Sequence, residues 1–215
     1  MTEQFDLFSQ QEDEKAGQAD VSPRVLYFDL ETQKSADDVG GWENIPAMGL
    51  AVGVVWDSLD RKFFTYLEAE AQKLVEKLCS ADLVVGFNVI GFDYAVLQPY
   101  ATRTTGFDLQ EINTFDMLLD VRKILKFRLS LNHLAQYTLN AEKSADGLIS
   151  LQWYKEGKID KIIEYCKQDV AITRDLFLFG QSNEFVKYKD RKGKVQKLDV
   201  VWKVDHLIHP RPSAG

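Results

Sequence analysis

Residues 24–31 read Arg-Val-Leu-Tyr-Phe-Asp-Leu-Glu, and the fold follows from this stretch. A β-branched and aromatic run this short, entered after Pro23, is a buried strand. Its apolar part gives way at Asp29 and Glu31. These two are one residue apart, so the period of two places both carboxylates on one face at the C-terminal end of the strand. Adjacent carboxylates repel each other, one pKa must rise unless something compensates, and a divalent cation is the usual compensation. Taken alone, an Asp-x-Glu is equally the solvated end of a strand.

Outward from this strand, a Gly/Asp-rich connection (Asp37 to Gly41) leads to apolar stretches at 48–56 and 62–67 around a polar turn at Asp57 to Asp60. That spacing predicts an antiparallel hairpin joined to the first strand. From Glu68 the period becomes helical, with Leu74, Val75, Leu78 and Cys79 on one face and an end near Ser80. Residues 83–87 read as a short apolar strand, followed by a turn through Asn88 and Gly91 and a helix from about Asp93 to just before Pro99. Residues 112–116 read as a further strand and 116–125 as helix, and Leu131, Leu134 and Ala135 form the face of another. The longest helix spans 158–179, with Ile159, Ile162, Ile163, Cys166, Val170, Thr173 and Phe177 at three- and four-residue spacing. Residues 186–198 alternate around a Lys-Gly turn, a basic hairpin. Three antiparallel strands followed by alternating helices and strands predict an α/β fold, a mixed sheet flanked by helices with a C-terminal basic hairpin. The expected organisation is a flexible acidic tail at 1–22, one domain at 23–183, and a basic hairpin and tail at 184–215 packed on that domain.

Composition sets the outer bounds. The chain has 215 residues, 45% hydrophobic and 27% charged, the balance of a globular protein with enough length for a core that needs no disulfide. Two cysteines and the absence of an apolar segment after Met1 predict a cytoplasmic protein with free thiols. With no apolar run of about eighteen residues, a membrane span is not expected. The net charge of -7 speaks against a nucleic-acid binder that uses its whole surface. The charge is polarised: residues 1–20 hold six acidic groups against Lys15, whereas residues 185–215 hold eight basic groups against three acidic ones.

Two further groups of residues carry chemistry. In Gly86-Phe87-Asn88-Val89-Ile90-Gly91-Phe92-Asp93 an apolar strand delivers Asn88 and Asp93 into a turn that opens a helix; Asp93 there also suits a helix N-cap. In Tyr165-Cys166-Lys167-Gln168-Asp169 the i, i+4 spacing puts phenol and carboxylate on one face of the long helix.

In this order, Asp-x-Glu on the first strand, Asn-x-x-x-Phe-Asp after a later strand and Tyr-x-x-x-Asp on a late helix resemble the DEDD superfamily of 3′ to 5′ exonucleases, in the tyrosine-bearing subgroup. The resemblance covers roughly residues 24–182 and includes the Leu-Ser-Leu-x-x-Leu-Ala-x-x-Thr-Leu helix at 129–139. It is greatest to a group of uncharacterised bacterial predicted exonucleases. It implies a ribonuclease H-like fold and hydrolysis of phosphodiester bonds at 3′ ends, of single-stranded DNA first, by two divalent ions, Mg2+ or Mn2+. By the same resemblance Asp29, Glu31 and Asp169 hold the ion that activates water, and Asp29 bridges to the second ion. Asp93 acts through that ion's waters, and Tyr165 orients the attacking water, its phenol being a weak base with a reference pKa of about 10.

Other candidates are weaker. Thr32 follows the first motif and is a candidate to meet the 3′ end by its backbone; Phe92 and Phe87 are candidates to stack on a base, or to pack the core. Lys143, Arg122, Lys123, Lys126 and Arg128 are candidates for the phosphate path, and Lys192 and Lys194 of the hairpin for a sequence-independent grip. Lysines that blunt an exposed strand edge are the competing reading of the hairpin. His133, His206 and His209 lack zinc spacing. Gln4-Phe5-Asp6-Leu7-Phe8 resembles the short peptide that docks bacterial replication and repair proteins on the sliding clamp, with Gln4, Leu7 and Phe8 as anchors. Two alternatives stand beside a DNA exonuclease: an exoribonuclease of the same chemistry, since no residue visibly reads a 2′-hydroxyl, and a non-catalytic nucleic-acid adaptor recruited through the tail.

Overall fold

The computed structural model describes residues 22–104, 106–141 and 148–208. The run after Pro23 forms strand β1 (Val25–Thr32), which pairs antiparallel with β2 (Leu50–Asp57), itself antiparallel to β3 (Lys62–Leu67). Helix α1 (Ala71–Cys79) returns the chain to β4 (Leu83–Gly86), parallel to β1 on its other side. Helix α2 (Tyr94–Thr104) then leads to β5 (Thr114–Asp116), parallel to β4, and the sheet order is β3-β2-β1-β4-β5. Helices α3 (Met117–Leu125), α4 (Leu131–Leu139), α5 (Leu148–Lys155) and α6 (Ile159–Asn183) follow. A hairpin of β6 (Phe185–Lys189) and β7 (Val195–Asp199) precedes the single turn α7 (Val204–Leu207). This is the mixed α/β sheet that the strand pattern predicts, with helices on both faces.

The alternation in β1 sorts its residues between two cores. Leu26, Phe28 and Leu30 pack with Leu74, Val75 and Leu78 of α1 and with Val96 and Leu97 of α2. Val25 and Tyr27 pack on the other side with Ile162, Cys166, Val170 and Phe177 of α6. Each such buried side chain contributes about 1.5–3 kcal/mol. The same period assigns Asp29 and Glu31 to the face covered by α6.

Three elements depart from expectation. The helix expected from Asp93 to before Pro99 begins at Tyr94 and runs through Pro99 to Thr104, because Asp93 belongs to a π turn (Val89–Asp93) and the buried Val96, Leu97 and Ala101 hold the helix across the proline. The long helix continues four residues past Phe179. It stops where Glu184, at φ 60°, donates its N–H to Gly180 O at 2.9 Å. Trp202, which the sequence reading left in a tail, is a core residue: its indole stacks on Phe177 with centroids 6.1 Å apart and donates to Asp120 Oδ2 at 2.8 Å. That ring lies against Gly180, where a Cβ would come within 2.3 Å of it. Among the described residues no helix is long and apolar enough to cross a membrane.

Candidate active site

Strand β1 carries Asp29 and Glu31 to the sheet's edge, and α6 brings Asp169 to meet them. On α6 the buried stripe runs through Ile162, Tyr165, Cys166, Thr173, Leu176, Phe177 and Gly180, and Asp169 falls on it at helical spacing from Cys166 and Thr173. One carboxylate oxygen from each of Asp29, Glu31 and Asp169 lies within 4.8 Å of the others. The fourth carboxylate is placed by a different device. Pairing of β1 with β4 stops at Tyr27 and Val85, and beyond it the Leu30 N–H donates to Asp93 Oδ1 at 3.1 Å. Asp93 thus substitutes for a strand neighbour and is 3% exposed.

The turn that carries Asp93 is held by Asp116, at the junction of β5 and α3. Its carboxylate accepts the Asn88 N–H at 2.9 Å, the Ile90 N–H at 3.1 Å and, as the cap of α3, the Leu118 N–H at 3.0 Å. Asn88 stands in the left-handed region at φ 72°, which asparagine tolerates better than most residues. Asp116→Ala leaves the two loop amides without their acceptor and removes the cap. The expected cost is about 2–4 kcal/mol, read as a lowered midpoint in urea. An unchanged midpoint would show that the loop is held otherwise.

The carboxylates are recessed, and their electrostatics follow. Burial, then the charges of Asp93, Asp169 and Glu31, push the Asp29 carboxyl well above the usual carboxylate range. Burial pushes Glu31 up to about 7, opposed by the Ser150 hydroxyl, which donates to Glu31 Oε2 at 2.6 Å. Burial also pushes Asp93 up to about 8. Cys166 reaches Asp29 O with its Sγ at 3.4 Å, and burial raises its thiol. Clustered, partly desolvated carboxylates are costly without a counter-charge. Their all-oxygen donor set, three ligand atoms within 4.8 Å of one another, fits a hard divalent cation such as Mg2+ or Mn2+.

These groups line one cleft of about 780 Å³, together with Thr32, Asn88, Phe92 and Tyr165. Thr32 is buried and its hydroxyl donates to Lys34 O at 2.9 Å, so it shapes the exit from β1, where the pairing register also shifts. Sequence reasoning passed over Trp42, which is 69% exposed on the cleft wall with its ring edge-on to Phe92 at 6.3 Å. It also passed over Lys34, which joins Arg128 on the lining, and over Ser150 and Asp116. Asp116 had a signal, an acidic residue immediately before a helical period; Ser150 had none. Lys192 and Lys194 lie elsewhere, in a groove at the hairpin. Lys143, Gln4, Leu7 and Phe8, with the acidic tail up to residue 21, fall outside the described residues.

A family model described as the RNase_H superfamily matches residues 26–178, from β1 into α6. No curated protein matches the sequence. Among solved structures, a family B DNA polymerase from the hyperthermophilic archaeon Pyrobaculum calidifontis is similar at a TM-score of 0.55 and 19% identity. The alignment covers 76% of this chain and 26% of the polymerase chain. This chain therefore spans about a quarter of that polymerase, and the likeness is one of fold.

Proposed function

The chain belongs to the RNase H superfamily, and from that premise we propose that it is a metal-dependent 3′ to 5′ exonuclease of the tyrosine-bearing DEDD type, acting on single-stranded DNA ends. The observation that carries this reading is the convergence of ligand oxygens from Asp29, Glu31 and Asp169, with Tyr165 one helical turn before Asp169. Asp29, Glu31 and Asp169 would hold the first ion, with Asp29 also reaching the second. When bound, two Mg2+ or Mn2+ ions would supply a nucleophilic hydroxide at neutral pH and neutralise the departing 3′-oxygen.

The protein's own groups do the rest. Asp93 accepts the Leu30 N–H on Oδ1, which holds its carboxylate at the cleft toward an ion or its water. Tyr165 lines the cleft with its ring edge-on against Trp153 at 6.2 Å, and from there its hydroxyl would orient the attacking water. The Ser150 hydroxyl fixes the rotamer of Glu31. Lys34 and Arg128 offer charge to the phosphates, and Trp42 with Phe92 offers a wall on which a terminal base stacks. Stacking of a base on an aromatic ring is worth about 1–3 kcal/mol. Trp42→Ala is therefore expected to raise KM for single strands by roughly 5- to 100-fold with a smaller change in kcat; an unchanged KM would remove Trp42 from the substrate site.

The deciding experiment is digestion of 3′-labelled and 5′-labelled single strands of DNA and RNA of one sequence, with Mg2+, Mn2+ or EDTA. Stepwise shortening from the 3′ end with metal alone supports the proposal, and the better-cut polymer names the substrate. Internal cleavage, or shortening from the 5′ end, overturns the direction. Binding without cleavage under either metal overturns the enzyme.

A further inference from the structure

A second groove, of about 720 Å³, lies between the α3–α4 connection and the hairpin. Lys126 and Phe127 come from the end of α3, Tyr188 from β6, and Arg191, Lys192 and Lys194 from the hairpin turn. The four cations are exposed, and among the described residues none of them forms a salt bridge. The one acidic residue on the lining, Asp190, is committed to the turn: its carboxylate accepts the Lys192 and Lys194 N–H groups at 2.9 Å each and Gln196 Nε2 at 2.8 Å.

Blunting of the outer β6 edge does not account for these cations. The outer edge of β6 is already occupied by α4: the Lys187 N–H donates to Thr138 Oγ1 at 2.9 Å, and the Lys189 N–H to His133 Nε2 at 3.0 Å. The same bonds hold the hairpin against the domain. Phe127 and Tyr188 meet edge-on at 6.2 Å, both half-buried, so each keeps part of a ring open to the groove. The groove and the carboxylate cleft draw on the same short stretch of chain. Phe127 lines the one and Arg128 the other, and neighbouring Cα atoms are only about 3.8 Å apart.

We propose that this groove is a second binding site for single-stranded nucleic acid, with phosphates on Lys126, Arg191, Lys192 and Lys194 and a base against Phe127 and Tyr188. Charge alone selects a polyanion; the two rings select one with stacking faces. The proposal rests on the exonuclease reading only for strand direction, the 3′ end in the cleft and the upstream nucleotides in the groove.

The test is binding of fluorescein-labelled dT4 and dT16 to the full chain in EDTA, where no turnover occurs, followed by anisotropy over a salt series. The wild type is expected to bind dT16 at least tenfold more tightly than dT4. In Lys126→Glu/Lys192→Glu/Lys194→Glu that ratio collapses towards one and the log–log salt slope falls by about two, since each phosphate contact on a single strand contributes about 0.7. A charge-matched reversal at the start of β3 and on α1, Arg61→Glu/Lys62→Glu/Lys73→Glu, keeps the ratio. Phe127→Ala, which leaves the charge intact, lowers it roughly fivefold or more. Retention of the ratio in the groove variant, an equal loss in both triple variants, or displacement of dT16 by polyglutamate as readily as by unlabelled dT16 overturns the proposal. The two readings fail separately: a wild type that cuts strands but shows no length advantage removes the groove alone, and one with the advantage that cuts nothing removes the exonuclease alone.

Discussion

Asp29→Asn is expected to lower metal-dependent cleavage by roughly 10³-fold or more while raising the Tm of the metal-free protein. The two effects have one cause. Asp29 stands among the charges of Asp93, Asp169 and Glu31 at a recessed sheet edge, where it is worth most to a bound cation and costs most without one. Loss of 10³ in rate corresponds to about 4 kcal/mol of transition-state stabilisation, a reasonable loss for a ligand that, on the proposed reading, would reach both ions. Asparagine keeps the shape and removes the repulsion, and relief of a poorly compensated buried charge stabilises by about 1–2 kcal/mol. For a chain of this size that is a rise of roughly 2–8 °C. The Mg2+-induced rise in Tm shrinks in parallel. Melting curves with and without metal, run beside the cleavage assay, separate the outcomes. A variant that cleaves at the wild-type rate sinks the assignment of Asp29, and one that melts lower without metal shows that its carboxylate holds structure rather than charge.

How far the sequence reaches depends on the range of the interaction involved. The face shared by Val25, Tyr27, Asp29 and Glu31 follows from period two, and the helix face of Tyr165, Cys166 and Asp169 from period 3.6, so three of the converging carboxylates were readable from local pattern. Asp93 was readable as a residue but not as a device: its bond to the Leu30 N–H spans 63 residues and exists because β4 turns away at Gly86. There a Cβ would strike the Val89 side chain at 2.2 Å. Ser150 reaches Glu31 across 119 residues, and nothing in its neighbourhood marks it. Trp42 interrupts a polar connection and reads as an isolated apolar residue until the cleft forms beside it. Trp202 is similar in kind, since its partners Phe177, Gly180 and Asp120 lie on two helices that only tertiary packing brings together. Pro99 shows the opposite error, a strong local rule outweighed by the burial of Val96, Leu97 and Ala101.

The stability of the metal-free protein is expected to fall as pH rises from about 5 to 8, against the usual trend for a chain rich in salt-bridged carboxylates. Glu31 is raised to about 7 and Asp93 to about 8, with Asp29 raised as well; in the unfolded chain all three titrate near 4. Between those limits the native state binds more protons than the unfolded state, so ΔG of unfolding declines with pH. The contribution is complete below pH 4 and is lost as pH passes through the folded values. Each proton so retained is worth up to about 1.4 kcal/mol per pH unit, enough to move Tm by several degrees across the window. Carboxylates held below their ordinary range by partners, Asp57 by Lys77 and Arg24 among them and Glu184 by Lys203, act with the opposite sign as pH falls through their own lower range, outside this window. A divalent cation binds the ionised cluster and must displace these protons. The Mg2+-induced rise in Tm is therefore small at pH 5 and large at pH 8, where the stabilisation behind it approaches about 2.7 kcal/mol when the metal stands at a hundred times its Kd. Melts at pH 5, 6, 7 and 8 in EDTA and in Mg2+ read both trends at once, and Asp29→Asn flattens the EDTA series. A metal-free Tm that climbs steadily from pH 5 to 8 would mean that the carboxylates ionise freely where they stand, and that a cation has no repulsion there to relieve.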